Sequence, residues 1–126
     1  MWTNDWIGLP YEALGRGPDS YDCLGLFLAL QRARFGRMLD DPLCTMSAAV
    51  RKRLVEGAKP NWRKVSVVKE GDAALFNVRG LSMHVGFVVD SNRMLHASAD
   101  VSESVLEDFR VSAWGARLEG VYRYAP

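Results

Sequence analysis

The stretch that decides the fold is residues 11–36, YEALGRGPDSYDCLGLFLALQRARFG. Its first half is rich in glycine and proline, which predicts a loop, and its second half has apolar residues at helical spacing from Cys23 onward. Asp19 or Ser20 is the expected N-cap of this helix, and Gly36 is its expected C′ residue. The sequence therefore predicts a helix that begins at a cysteine.

A cysteine at the start of a helix is well placed to become reactive. The first backbone N–H groups of a helix lack partners inside the helix, and the helix dipole favours a negative charge there. Both effects lower the pKa of a thiol, and the thiolate is its nucleophilic form. We therefore expect Cys23 to be an activated thiol if the rest of the chain supplies a base.

The rest of the chain is predicted to be helical first and strand-rich later. The other predicted helices are a short one over residues 3–8, capped by Thr3 or Asn4, and one from about Thr45 or Ser47 to Glu56, with Ser47 as the candidate cap. Residues 58–64 are predicted to be a linker. The predicted strands are residues 73–78, 83–90, 93–97, 105–111 and 118–124, with a tight turn at 90–93 and one helical turn at 112–116. This order indicates an α+β fold with an antiparallel sheet.

Length and composition restrict the class of protein. A chain of 126 residues with 48% hydrophobic residues is expected to form one domain, residues 1–126, with a real core. The formal charge of +1 gives no case for binding nucleic acid or an anionic membrane. The N-terminus, MWTNDWIGLP, has neither the basic start nor the apolar segment of a signal peptide, so we expect synthesis in the cytoplasm without one.

Two histidines, His84 and His96, are candidates for the base. Both fall in predicted strands that a tight turn joins, and counting from that turn offsets them by about three residues, roughly 10 Å. Sheet twist or a bulge can shorten this distance, so a direct contact stays open. A thiol nucleophile needs a base, and the base needs a third polar group to hold its orientation. Cys23, His84 and His96 can fill these three roles. Zinc binding is the competing use of the same side chains, but the chain has no paired CxxC or HxxxH spacing.

Three motifs in order resemble those of the NlpC-type cysteine peptidases, a papain-like family that cuts bacterial cell-wall peptides. LPYEALGRGPDSYDCLGL, at residues 9–26, resembles the family's nucleophile segment. EGDAALF, at residues 70–76, resembles its Gly-Asp strand entry, with Glu70 in place of a proline. MHVGFVVDSNRMLHAS, at residues 83–98, resembles its two histidine strands. The resemblance implies a papain-like fold in which N-terminal helices pack on an antiparallel sheet.

The resemblance also implies roles for particular residues. Cys23 would be the nucleophile, His84 the base and leaving-group acid, and His96 the residue that orients His84. Tyr11 and the backbone N–H of Cys23 would stabilise the oxyanion. Asp22 would border the substrate cleft, where it could meet a substrate amine. No cofactor and no metal are implied, and Cys44 has no role in the pattern.

Leu24 is the main departure from the pattern. Family members that cut beside γ-D-glutamate commonly have serine there, and a bulky residue is more like the branch found in bacteriophage and gene-transfer-agent tails. The resemblance therefore implies a peptidoglycan peptide as substrate, Leu24 beside it, and phage-like tail proteins as partners. The expected location is a virion or phage-like tail.

Two other functions stay open. One is a catalytically silent tail-tip structural or assembly protein on the same fold, although a purely structural descendant need not keep all of Cys23, His84 and His96. The other is an amidase or acyltransferase of the same superfamily. The related acyltransferases place the histidine before the cysteine in the chain, and the order here is the reverse.

Overall fold

The computed structural model describes residues 1–50, 61–79 and 82–126. The strands in these ranges are β1 (Trp62–Val65), β2 (Ala73–Arg79), β3 (Ser82–Val88), β4 (Arg93–Ser98), β5 (Glu103–Asp108) and β6 (Leu118–Tyr124). They form one antiparallel sheet in the order β1-β6-β2-β3-β4-β5. The helices are a 3-10 helix (Trp2–Trp6), α1 (Cys23–Phe35), α2 (described over 46–50) and α3 (Ser112–Arg117). The α+β fold with an antiparallel sheet is confirmed.

Helix α1 begins at the residue that the periodicity predicts, but a different side chain caps it. Asp22 is the N-cap, and its Oδ1 atom accepts a hydrogen bond from the Gly25 N–H at 2.7 Å. The prediction of Asp19 or Ser20 is wrong, because a cap must directly precede the first helical turn to reach its free N–H groups. Gly36 ends the helix in the left-handed conformation, with φ of 64°, as expected.

Apolar residues cover both faces of the sheet. Helix α1 packs on β3 and β4. The buried residues on that face include Leu26, Phe27, Leu30, Val85, Phe87 and Leu95. The opposite face carries a second cluster of Ala74, Phe76, Val88, Met94, Phe109 and Val121, with Trp114 of α3 packed against it. Side chains alternate along a strand, so β3 contributes to both clusters.

The linker predicted at residues 58–64 is wrong for the part that the structure describes. Trp62 begins β1, which pairs with the end of β6 in the register Trp62↔Tyr124. The Trp62 ring lies 5.6 Å from the Phe27 ring and 5.3 Å from the Tyr124 ring. A four-residue edge strand has too few residues to show alternation, so its pairing depends on contacts with distant parts of the chain.

At two of the other helix starts the capping side chain also differs from the prediction. The N-terminal helix covers Trp2–Trp6 with no side-chain cap, and Thr3 is buried instead of capping. In α2 the Oγ1 atom of Thr45 accepts from the Ala48 N–H at 3.1 Å, so Thr45 is the cap. The predicted cap, Ser47, accepts from a β3 backbone N–H instead. The predicted continuation of this helix beyond residue 50 lies outside the described residues.

Candidate active site

The two histidines are in direct contact on the face of the sheet that Trp114 covers. The Nε2 atom of His84 lies 2.7 Å from the Nδ1 atom of His96, and both rings are buried. The offset of roughly 10 Å counted along the strands is therefore wrong, and the direct contact that the sequence left open is present. One nitrogen of His84 is used in this pair, which leaves its Nδ1 atom for another partner.

The strand register explains the contact. Phe87 pairs with Leu95 and Val88 pairs with Met94. Continued along the strands, this register offsets His96 by two residues from the position opposite His84, and an offset of two keeps both side chains on one face. Counting from the turn predicted an offset of three residues, because the sequence does not show which residues form the first pair of the hairpin.

Glu107 extends the contact to a third side chain. Its Oε1 atom lies 2.5 Å from the Nε2 atom of His96. Strand β5 pairs with β4 so that Val105 lies opposite His96, which puts Glu107 on the same face at a diagonal position. Sequence reasoning missed Glu107, since alternation along β5 does not reveal the register of β5 on β4.

The Trp114 ring packs against both histidines. Its ring stacks on His84 with centroids 4.7 Å apart and an interplanar angle of 25°, and it meets His96 edge-on at 5.0 Å. Burial, with a smaller contribution from the charge of His96, lowers the pKa of His84 to about 3. Burial also lowers the pKa of His96, although Glu107 opposes that shift. Both imidazoles are therefore neutral near pH 7.

Cys23 lies against the backbone of β3 at Val85. Burial raises the pKa of the Cys23 thiol to about 11, and the backbone N–H of Val85, which follows His84 in the chain, partly opposes this. The charge of Asp22 raises the pKa further. The helix-start N–H of Leu24 does lower the pKa, as expected, but the loss of water outweighs it, so the expectation of an activated thiol is not met in the net pKa. The hydrogen bonds found in the described residues include none between the Cys23 and His84 side chains.

Arg16 organises the loop before α1. Its Nη1 atom lies 2.8 Å from Oδ1 of Asp22, and its Nε atom lies 2.8 Å from Oδ2 of Asp41. Its Nη2 atom donates to the carbonyl oxygen of Cys44 at 2.8 Å. Asp22 therefore has its Oδ1 atom bound within the protein by Arg16 and by the first turn of α1. Sequence reasoning missed Arg16, because a single arginine in a loop carries no distinguishing pattern.

Tyr11 and Leu24 are both close to Cys23, Tyr11 in space and Leu24 as the next residue in the chain. Tyr11 packs with Cys23 at the edge of the α1 core, and burial raises the pKa of its hydroxyl, as do the nearby Cys23 and Asp22. The Tyr11 N–H donates to the carbonyl oxygen of Ser102 at 2.9 Å, which anchors this segment beside β5. Leu24 is buried in the first turn of α1.

The described residues contain neither a metal-binding cluster nor a membrane-spanning helix. Across residues 1–50, 61–79 and 82–126, no three His, Cys, Asp or Glu side chains are grouped in a way that could hold a metal ion. Among the helices of those same ranges, none has the length and apolar character needed to cross a membrane.

The fold is papain-like. A cysteine at the start of its helix and a pair of histidines on its sheet are the features of the thiol peptidase class. A sequence profile of the NlpC/P60 family matches residues 8–123, and the chain belongs to this family. Members of the family are typically peptidoglycan-hydrolysing cysteine peptidases. No curated protein sequence matches the chain.

Solved structures support the same fold. An NLP/P60 family protein from Staphylococcus aureus, described as similar to a lipoprotein, has 22% identity and a TM-score of 0.69, covering 97% of this chain and 38% of that one. NlpC1 from Trichomonas vaginalis has 22% identity and a TM-score of 0.69, covering 97% and 41%. The NlpC/p60 domain of the peptidoglycan hydrolase SagA has 20% identity and a TM-score of 0.65, covering 96% and 92%. The chain thus spans about two fifths of the first two proteins.

Proposed function

We propose that this chain is a cysteine peptidase that hydrolyses amide bonds in peptidoglycan stem peptides. The observation that carries the proposal is the position of Cys23 at the start of α1, where the backbone N–H of Val85 meets its thiol. Val85 directly follows His84, whose ring is hydrogen-bonded to His96 at 2.7 Å. Membership of the NlpC/P60 family supports the substrate class.

The resting site holds a neutral thiol and a neutral imidazole, since burial raises the pKa of Cys23 and lowers that of His84. The Cys23 sulfur attacks the substrate carbonyl carbon while its proton passes to the Nδ1 atom of His84. The oxyanion is stabilised by the Tyr11 hydroxyl and the backbone N–H of Cys23. Proton transfer of this kind contributes about 10²–10⁴-fold to the rate.

The second half of the reaction releases both products. His84 gives its proton to the leaving amine as the C–N bond breaks, which leaves a thioester on Cys23. Water then attacks the thioester with His84 as the base, the acid product leaves, and the thiol regains a proton. Asp22 and Leu24 border the substrate in this proposal, and no metal or cofactor takes part.

We further propose that the chain acts as a component of a phage-like tail. Leu24, where serine is common in the family, supports it. The chain would be made in the cytoplasm, would join tail proteins in a virion, and would help to open the cell wall. In a particle that carries the chain, Cys23→Ala should leave tail assembly intact and reduce penetration of the host. Loss of assembly in that folded variant would favour a structural role.

A catalytically silent assembly protein is the second candidate, and one observation favours it. Burial holds the Cys23 thiol protonated, and its side chain has no hydrogen bond to His84 in the described residues. A silent protein would need no activated thiol. The two candidates therefore differ in a direct measurement of peptide hydrolysis.

The decisive experiment is digestion of purified peptidoglycan with mass spectrometry of the fragments. The purified chain and Cys44→Ala, the matched cysteine control, should release the same new peptide ends. Cys23→Ala should release none. Equal digestion by Cys23→Ala would exclude Cys23 as the nucleophile, and no digestion by the folded wild-type chain would favour the silent protein.

A further inference from the structure

Three side chains on one face of the sheet form a continuous hydrogen-bonded line. Glu107 Oε1 lies 2.5 Å from Nε2 of His96, and Nδ1 of His96 lies 2.7 Å from Nε2 of His84. His96 is buried at 1% exposure, whereas the Glu107 side chain is 39% exposed. The line therefore runs from a carboxylate at the surface to the buried imidazole of His84, and the next residue in β3, Val85, has its backbone N–H directed at Cys23.

The chemistry of the carboxylate decides where the protons lie. An ionised carboxylate only accepts hydrogen bonds, so the Nε2 atom of His96 must carry a hydrogen and donate it. A neutral imidazole has one N–H, so the Nδ1 atom of His96 is then an acceptor. The Nε2 atom of His84 must donate to that acceptor, which leaves the Nδ1 atom of His84 without a proton.

We propose that Glu107 is a positioning residue that holds His84 in the Nε2–H tautomer, so that its Nδ1 atom is the free base for the Cys23 thiol. This inference deepens the proposed peptidase function and rests on it for its catalytic meaning. The tautomer itself is a property of the folded chain and does not depend on activity.

The other arrangement of protons would need a charged His96. An imidazolium at His96 would donate from both nitrogens and would reverse the hydrogen bond to His84. The surroundings oppose this charge, because the rings of Trp114 and Phe76 pack on the histidine pair and exclude water. Glu107 is the charged group in contact with the pair in the described residues, and burial outweighs its effect on His96.

The test is the nitrogen-15 NMR spectrum of the two imidazoles at pH 7, because protonated and bare ring nitrogens have well-separated shifts. In the wild-type chain both histidines should be Nε2–H tautomers. Glu107→Leu should shift both rings toward a mixture of tautomers. Glu107→Gln keeps a carbonyl acceptor and should retain the wild-type pattern in part, and Glu119→Gln, which removes an exposed carboxylate from β6, should change nothing.

Three results would overturn the inference: an Nδ1–H tautomer of His84 in the wild type, an imidazolium at His96, or wild-type tautomers in Glu107→Leu. If peptidoglycan digestion is active, Glu107→Leu should also lower kcat by about 10- to 100-fold with a smaller change in KM, since the base is then wrongly protonated part of the time. If the wild-type chain is inactive but shows the expected tautomers, the peptidase proposal is contradicted. The inference that Glu107 positions His84 would then still be supported.

Discussion

Arg16 and Asp22 form an ion pair on the same carboxylate oxygen that caps α1. The Arg16 Nη1 atom and the Gly25 backbone nitrogen lie 2.8 Å and 2.7 Å from Oδ1 of Asp22. The helix cap is therefore tied to the loop that precedes it, and through Asp41 it is tied to the segment that follows α1. The position of Cys23, the next residue after Asp22, depends on this pair.

Arg16→Ala should lower the free energy of unfolding by about 2 kcal/mol. It leaves the buried Asp22 carboxylate without its cation, and the loss is moderated because the Arg16 side chain is 21% exposed. Urea unfolding followed by circular dichroism measures the change. Arg34→Ala is the matched control. Its pair with Glu70 is about one third exposed on both sides and should be worth about 0–1 kcal/mol. Equal losses in the two variants would show that Arg16 has no special structural role.

Gly25→Ala should be far more damaging than Gly36→Ala. A Cβ atom at Gly25 would overlap the backbone carbonyl oxygen of Gly15, which cannot move without displacing the loop. We expect a loss of about 3 kcal/mol or an unfolded chain. At Gly36 a Cβ atom meets nothing within 4 Å, so only the left-handed backbone is strained, at about 1 kcal/mol. Thermal unfolding compares them, and a similar loss in both would contradict the close loop–helix packing.

Alkylation of Cys23 should be slow at pH 7 and should accelerate as the pH approaches 11. Burial raises the pKa of this thiol to about 11, so the reactive thiolate is scarce near neutrality. Iodoacetamide labelling of the Cys44→Ser chain, quantified by mass spectrometry between pH 6 and 10, measures the rate. The same thiol in the urea-unfolded chain is the control and should react faster at pH 7. A folded-state rate that is already maximal at pH 7 would show an activated thiolate.

Stability should fall as the pH drops from 6.5 toward 3. In the unfolded chain His84 takes up a proton near its ordinary pKa of 6.5, but burial lowers its pKa in the folded chain to about 3. Because the unfolded state binds more protons in this window, the stabilisation present above pH 6.5 is lost on acidification, by up to about 1.4 kcal/mol per pH unit. Urea unfolding at several pH values measures the slope.

The His84→Phe variant should have a shallower slope between pH 6.5 and 4.5 than the wild type. Asp90→Asn is the control. The Arg93 guanidinium lowers the pKa of Asp90, so that carboxylate affects stability only at more acidic pH. An unchanged slope in His84→Phe would mean that His84 is protonated in the folded chain.

Much of the fold could be predicted from local patterns. The start of α1 at Cys23 and its end at Gly36 follow from helical spacing and a glycine stop, and the strand from Leu118 to Tyr124 has the predicted bounds. The bounds of β2 to β5 agree with the predictions to within three residues, and the starts of β2 and β4 match. Strand β1 was missed because its partner, the end of β6, is about 60 residues away in the chain.

The candidate site was predictable in its residue types but only partly in its geometry. The sequence indicated Cys23, His84 and His96, and the structure brings the two histidines together. Their catalytic roles remain a proposal. Glu107 and Arg16 were missed, because the first is placed by the β4–β5 register and the second by a folded loop.

The sequence by itself determined the α+β class, the cysteine at the start of α1 and the strands that carry the histidines, because helix periodicity, turns and alternation act over a few residues. Only the tertiary structure decided that His84 contacts His96, that Glu107 forms a hydrogen bond with His96, and that burial raises the pKa of the Cys23 thiol. The physical reason is that register and burial depend on residues distant in the chain. Burial also reversed the effect that the helix terminus alone would have on the pKa of Cys23.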